Sequence, residues 1–298
     1  MPRPRSDRVP APLLVLVAIT SVQSGAALAR TLFDDLGAAG VTLLRLGLSA
    51  LFLLVVLRPR VRRWTRDAWV AALLLGGTMA GMNLVFYLAL RTVPLGVAVT
   101  VEFVGPLLLA LAQTRRLVDL LWALLAGSGV VLLGSDPSGA PLPGLGLALL
   151  AGLFWAGYIL ASARVGQVVA GVDGLAVALG VAALLVLPFG APGALGVLER
   201  PSLLVAAAGV ALLSSVLSYG LELVALRRMP TRVFGVLMSL EPAAAAVAGL
   251  VVLDQQLGLR EVVALLLVST ASAGVTLGRR ERRRGARAAA QVPALPTP

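Results

Sequence analysis

Arg45, Glu102 and Glu241 are the residues whose types and positions could do chemistry, because each is set deep in a stretch dominated by Leu, Val, Ala and Gly. Arginine does not give up its proton, so Arg45 reads as a fixed cation matched to a carboxylate. A desolvated carboxylic acid can titrate near neutral pH, so Glu102 and Glu241 read as acids that hold either a proton or an ammonium group. One cation and two acids make a site that an amino-acid zwitterion would complete, with its carboxylate on Arg45 and its ammonium on Glu102 or Glu241. Competition between proton and ammonium for one carboxylate is what coupled exchange of the two requires. The structural alternative is a static Arg45–Glu102 ion pair tying two helices together.

Uncharged groups at similar depth add to this set. Asn83 and Tyr87 are one helical turn apart and share a face. They are the first candidates for substrate contact, with Gln23, Tyr158 and Ser239 behind them. Glu222 lies five residues before Arg227 and is expected to reach the membrane edge and pair with Arg227 or Arg228, with a place in the site as the alternative. The chain has no His and no Cys, which excludes the usual zinc, haem, iron–sulfur and Ser-His or Cys-His centres. A Gly-rich GK[ST] loop is also absent from the sequence, so ATP hydrolysis is not expected, and neither is a metal or other cofactor.

The elements that must position these residues are membrane helices. Of 298 residues, 59% are apolar and 13% charged, far from the roughly 45–50% and 25% of a soluble domain. Apolar runs of about 20 residues, enough to cross the hydrocarbon, number ten. They fall near 11–30, 36–57, 68–89, 94–113, 117–134, 143–163, 172–190, 202–226, 231–253 and 258–278. A charge at the bilayer centre costs at least about 2.5–3.5 kcal/mol, so those at 45, 102 and 241 need a reason to be there.

Arginine placement gives the orientation. All 25 basic residues are Arg. Twenty of them, from Arg3 to Arg8, from Arg58 to Arg66, at Arg115, Arg116, Arg164, Arg227, Arg228 and Arg232, and from Arg279 to Arg287, fall on one face. Four, Arg30, Arg91, Arg200 and Arg260, fall on the other, and Arg45 is left inside the second span. The positive-inside rule then predicts both termini in the cytoplasm. A cleaved signal peptide ending at Ala27-Leu28-Ala29 is the competing reading of the first span, but its apolar run of about 19 residues exceeds a signal core of 7–15. The tail from 279 is expected to be disordered and to face anionic lipid headgroups rather than nucleic acid.

The sequence also repeats at an offset of 136 residues. Ala89-Leu90-Arg91, Pro94 and Pro106 correspond to Ala225-Leu226-Arg227, Pro230 and Pro242. Residues 11–134 and 143–278 are thus expected to be two five-helix units between a short terminal segment, 1–10, and the tail, 279–298. Five is odd, so the second unit is inverted, an arrangement typical of transporters with a midplane site between the halves. Under this offset Glu102 and Glu241 fall three positions apart on equivalent helices, on one face. Each neighbours a proline that removes a backbone hydrogen bond: Pro106 from the Glu102 carbonyl, Pro242 from that of Met238. Freed carbonyls at membrane depth are tolerated where they line a cavity. Gly77 and Gly81 form a GxxxG pair that reads as close helix packing, with dimerisation as a secondary role.

Gly81-Met82-Asn83-Leu84-Val85-Phe86-Tyr87, Thr92-Val93-Pro94-Leu95-Gly96, Glu102-Phe103-Val104-Gly105-Pro106-Leu107, Tyr219-Gly220-Leu221-Glu222 and Met238-Ser239-Leu240-Glu241-Pro242 together resemble the threonine and homoserine exporters of bacterial inner membranes. Those proteins form a family of two EamA-type repeats in the drug/metabolite transporter superfamily. The resemblance runs from about residue 11 to 278. It implies an all-α protein of ten transmembrane helices in the inner membrane and efflux of small amino acids in exchange for protons; monomer and homodimer both stay open. Leu253-Asp254-Gln255-Gln256-Leu257 departs from the family, standing where EamA repeats usually read Gly-Glu. Export of another small metabolite or drug, and a non-transporting scaffold or sensor, stand as alternatives. An intramembrane enzyme would have only acids to work with and no aspartyl pair or metal cluster.

Overall fold

The computed structural model describes residues 9–59, 61–113, 117–134, 139–169, 172–226, 228–229 and 231–290, and among them the regular elements are helices alone. In chain order these are α1 (Ala11–Thr31), α2 (Phe33–Leu57), α3 (Arg66–Ala89), α4 (Leu95–Glu102), α5 (Val104–Ala112), α6 (Leu117–Gly134), α7 (Leu142–Val168), α8 (Asp173–Ala194), α9 (Gly196–Glu199), α10 (Pro201–Ala211), α11 (Ser218–Leu226), α12 (Thr231–Met238), α13 (Glu241–Leu253) and α14 (Leu259–Ala290). A π-helical segment, Leu212–Leu217, joins α10 to α11. Nine stretches among the described residues are long and apolar enough to cross a bilayer. The expected span at 117–134 is helical as α6 and is not among these nine. Helix α14 runs on to Ala290, through the basic stretch for which the sequence predicts no fixed structure.

Local chemistry sets the boundaries. Thr65 caps α3, its Oγ1 accepting from the Ala68 N–H at 3.3 Å. Proline opens α1, α7 and α10, where a missing N–H costs nothing. Helix α4 breaks from α5 at Phe103, and α12 from α13 at Ser239-Leu240, with Pro106 and Pro242 in the first turns that follow. These breaks lie 136 residues apart, the offset of the repeat.

Packing follows the same offset. Helix α2 lies against α8 and α6 against α14, while α3 packs on α7 as α10 and α11 pack on α1. Small residues make the close crossings. A Cβ at Gly193 would overlap the Leu36 carbonyl, and one at Gly40 would press on Gly193 and Ala194. Gly77 faces open space, and it is Gly76, against Val181, that makes the close contact beside Gly81, which meets Phe154. The expected Gly77 packing is therefore absent, because the face of α3 turned to α8 is one residue earlier. Outward-facing side chains are apolar, among them Leu184, Phe189, Val205 and Val251, which suits lipid rather than water.

The first turns of α1 and the last apolar turns of α14 share one end of the bundle. Val15 packs with Ala225 and Met229, and Gly235 at the same level meets Thr276. At the opposite end Gly144 meets Thr92 and Val93, and Asp35 pairs with Arg200 at 2.6 Å. We call these the terminal face and the far face.

The tightest crossing supports the site directly. Gly105 and Gly152 bring α5 and α7 together backbone to backbone, and a Cβ at Gly152 would overlap the Glu102 carbonyl oxygen, the one Pro106 leaves without a helical partner. Gly152→Ala is expected to cost about 1–3 kcal/mol through overpacking. The readout is a lowered thermal unfolding midpoint in detergent, with Gly146→Ala, which meets open space, as the unaffected control.

Candidate functional site

The helix breaks at Phe103 and Ser239-Leu240 face a cavity of about 500 Å³ lined from α1, α2, α3, α4, α5, α7, α11, α12, α13 and α14. A volume of about 300–1,000 Å³ is usual for a small-molecule site. Arg45, Glu102 and Glu241 all line it, joined by Gln23, Asn83, Tyr158 and Glu222. The three deep charges predicted from sequence thus converge, each under 9% exposed.

Arg45 is held by an unusual piece of backbone. Its Nη1 donates to the Tyr87 hydroxyl at 3.0 Å, its Nε to Ser215 Oγ at 3.3 Å and its Nη2 to the Ser214 carbonyl at 3.2 Å. Its guanidinium carbon lies 5.5 Å from the centre of the Tyr87 ring. The Ser214 carbonyl belongs to the π-helical segment, whose register departs from the ordinary helical ladder and turns carbonyls toward side chains. Leu213 in the same segment accepts from Ser21 Oγ at 2.8 Å and Ser218 Oγ at 2.6 Å. Each guanidinium nitrogen therefore makes one bond to protein, leaving one N–H on each Nη, the number a bidentate carboxylate uses. Ser214 and Ser215 were not among the sequence candidates; the Ser pair inside an apolar run was the available signal.

Arg45 and Glu102 attract one another across the cavity, yet they form no ion pair within 4.0 Å; the ion pairs among the described residues are Asp67–Arg164 and Asp35–Arg200. The static Arg45–Glu102 pair is thus not what the structure shows. Glu241 lines the cavity with Gln23 close by, and its Oε2 is buried without a hydrogen-bond partner. Its charged neighbours are Glu222 and Glu102. Glu222 lines the cavity, the place the sequence reading holds as its alternative; of its two expected edge partners, Arg228 is exposed and Arg227 lies outside the described residues. The reason is that the cavity reaches toward the terminal face, so a residue near that edge still opens into it.

The weaker candidates divide. Asn83 is 3% exposed and donates through Nδ2 to the Met79 carbonyl at 2.8 Å. A carbonyl only accepts, so the Asn83 amide is oriented and its Oδ1 remains for another donor. Tyr87 stands behind Arg45 rather than on the cavity wall. Tyr158 lines the wall together with Ser162. Ser239 is turned to Ser272 at 3.0 Å, and Ser272 rather than Ser239 meets the cavity. Tyr219, Ser218 and Thr276 complete the polar lining. No group of three His, Cys, Asp or Glu that could hold a metal occurs among the described residues.

The family departure at Asp254-Gln255 is away from this site. Asp254 takes the left-handed conformation, φ 53°, that glycine adopts most easily, and Gln255 Oε1 accepts from the Leu95 N–H at 2.9 Å, as a Glu oxygen also could.

The pattern of the EamA-like transporter family matches residues 142–277. The chain is 45% identical over 268 residues to the threonine/homoserine exporter RhtA of Salmonella typhimurium (strain SL1344), covering 89% of this chain and 90% of that protein. It is 44% identical, with the same coverage, to the threonine/homoserine exporter RhtA of Escherichia coli (strain K12). A crystal structure of a protein 20% identical has the same fold, with a TM-score of 0.57 over 90% of this chain and 98% of that one. The chain belongs to the threonine/homoserine exporters of the EamA-like transporter family, as a multi-pass membrane transporter.

Proposed function

We propose that the protein exports threonine and homoserine from the cytoplasm by proton antiport, through a single site alternately open to the two faces of the bacterial inner membrane. The observation that carries this reading is the cavity itself, with a guanidinium holding two unused N–H groups and two buried carboxyl groups around one space. The substrate carboxylate sits on Arg45 and its ammonium on Glu102. In this reading α6 completes ten crossings, the two halves are inverted repeats, and the Arg-rich terminal face is cytoplasmic. The matched helix breaks and contact pattern support the repeat; the relatives' names support the substrates.

The test is purified protein in liposomes with labelled threonine or homoserine. Accumulation should require a pH gradient and collapse with a protonophore; the absence of gradient-dependent flux with every small amino acid would overturn the reading. Export of a bulkier solute is the second reading, favoured by the cavity volume, and a competition screen separates the two.

Asn83 is the residue we expect to read the substrate hydroxyl, through Oδ1. Asn83→Leu should lower the preference for homoserine over its methyl-for-hydroxyl counterpart norvaline by about tenfold, while norvaline flux persists. An unchanged ratio would remove Asn83 from recognition.

A further inference from the structure

The two ends of the cavity are built differently. At the far face α4 packs on α13, whereas among the described residues the corresponding halves at the terminal face, α5 and α12, have no comparable contact. The lining agrees: Leu107 and Ala110 of α5, Phe234 and Gly235 of α12, and Thr276 of α14 carry the cavity from the helix breaks toward the terminal face.

The closed seam is joined at one polar point. Leu95 opens α4, so its N–H has no partner within the helix. Gln255 Oε1 accepts from it at 2.9 Å, across 160 residues of chain. The turn ending α13 presents that oxygen: Asp254 is left-handed and the Gln255 N–H donates to the Gly249 carbonyl at 3.0 Å. Two glycines let the helices close around it. A Cβ at Gly96 would come within 2.8 Å of Ala246 Cα, and one at Gly249 would come within 2.8 Å of Gln255 Oε1.

We propose that Gln255 is the latch of the far-face gate, holding α4 against α13 while the cavity is open to the terminal face and releasing Leu95 when the gate parts. This rests on the alternating-access reading above. The bond uses one neutral acceptor and one backbone donor, so its loss should shift the balance of the two states by roughly three- to tenfold.

The chain contains no cysteine, so single probes can be read directly. Ala245→Cys places a thiol on α13 at a fully buried position, and Ser272→Cys places one on the open cavity wall. Each is made alone and with Gln255→Leu, in nanodiscs, and the rate of modification by a bulky water-soluble thiol reagent is measured without substrate. Gln255→Leu should speed modification at Ala245→Cys by roughly three- to tenfold and slow it at Ser272→Cys. Equal rates, or both rates rising together as general loosening would give, overturn the latch. Gln255→Glu keeps an acceptor and should leave Ala245→Cys at or below its parental rate; faster modification there also overturns it. These readouts need no flux, so they stand or fall apart from the identity of the solute.

Discussion

Glu241→Gln should retain exchange of labelled for unlabelled homoserine at equal pH while losing accumulation driven by a pH gradient, and Glu102→Gln should be impaired in both. The assignment follows from what each carboxyl group faces. A zwitterion needs one cation and one anion opposite each other, and Glu102 is the acid that feels Arg45 across the cavity without being bonded to it. Glu241 has a different setting. Its Oε2 is buried and unpartnered, and its charged neighbours are other carboxyl groups. It is the acid left over once Glu102 has taken the ammonium, and so the one to carry the proton between faces. Glutamine preserves size and keeps one carbonyl oxygen, so folding should survive in both variants. Replacing the ammonium partner should lower exchange by about 10- to 100-fold, the worth of a hydrogen bond to a charged group. Full gradient-driven accumulation by Glu241→Gln would remove it as the coupling acid. Loss of equal-pH exchange in that variant would make Glu241 a substrate contact instead.

Much of this site was legible in the sequence because membrane depth makes each charge conspicuous. Arg45, Glu102 and Glu241 stand out in apolar runs, and the prolines at 106 and 242 mark the breaks that open beside them. Asn83 and Tyr87 were found by their spacing, although one faces the cavity and the other braces Arg45. The rest depended on contacts between distant segments. Gln255 gains its role from Leu95, 160 residues away, and no local pattern announces such a bond. The brace of Arg45 is equally hidden, since it needs a π-helical segment that its repeat counterpart in α3 lacks; there the same crossing is Gly76 against Val181. For Glu222 the sequence leaves both the edge and the site open, because distance along a helix measures depth but not the shape of the cavity beside it. The chemistry thus lies where the segments 136 residues apart differ.

Arg45→Lys should leave a folded protein whose transport is reduced by about 100-fold, mostly as a raised KM, although the charge is conserved. Arg45 makes its three protein bonds in three directions from one plane, to Tyr87 at 3.0 Å, Ser214 at 3.2 Å and Ser215 at 3.3 Å, and still presents an N–H on each Nη. Lysine has a single nitrogen with three protons and cannot satisfy those partners and grip a carboxylate with two parallel bonds. Two charge-assisted hydrogen bonds lost or misaligned, at about 1.5–3 kcal/mol each with partial compensation by the ammonium, account for a loss of that order. Tyr87→Phe is the graded comparison. It removes one brace and keeps the ring that the guanidinium packs over, so the fall should be only several-fold. Methionine at position 45 should abolish exchange as well as net flux, because no cation then remains to receive the carboxylate. Wild-type KM in Arg45→Lys would show that a point charge suffices, and the planar, doubly donating geometry would lose its place in recognition.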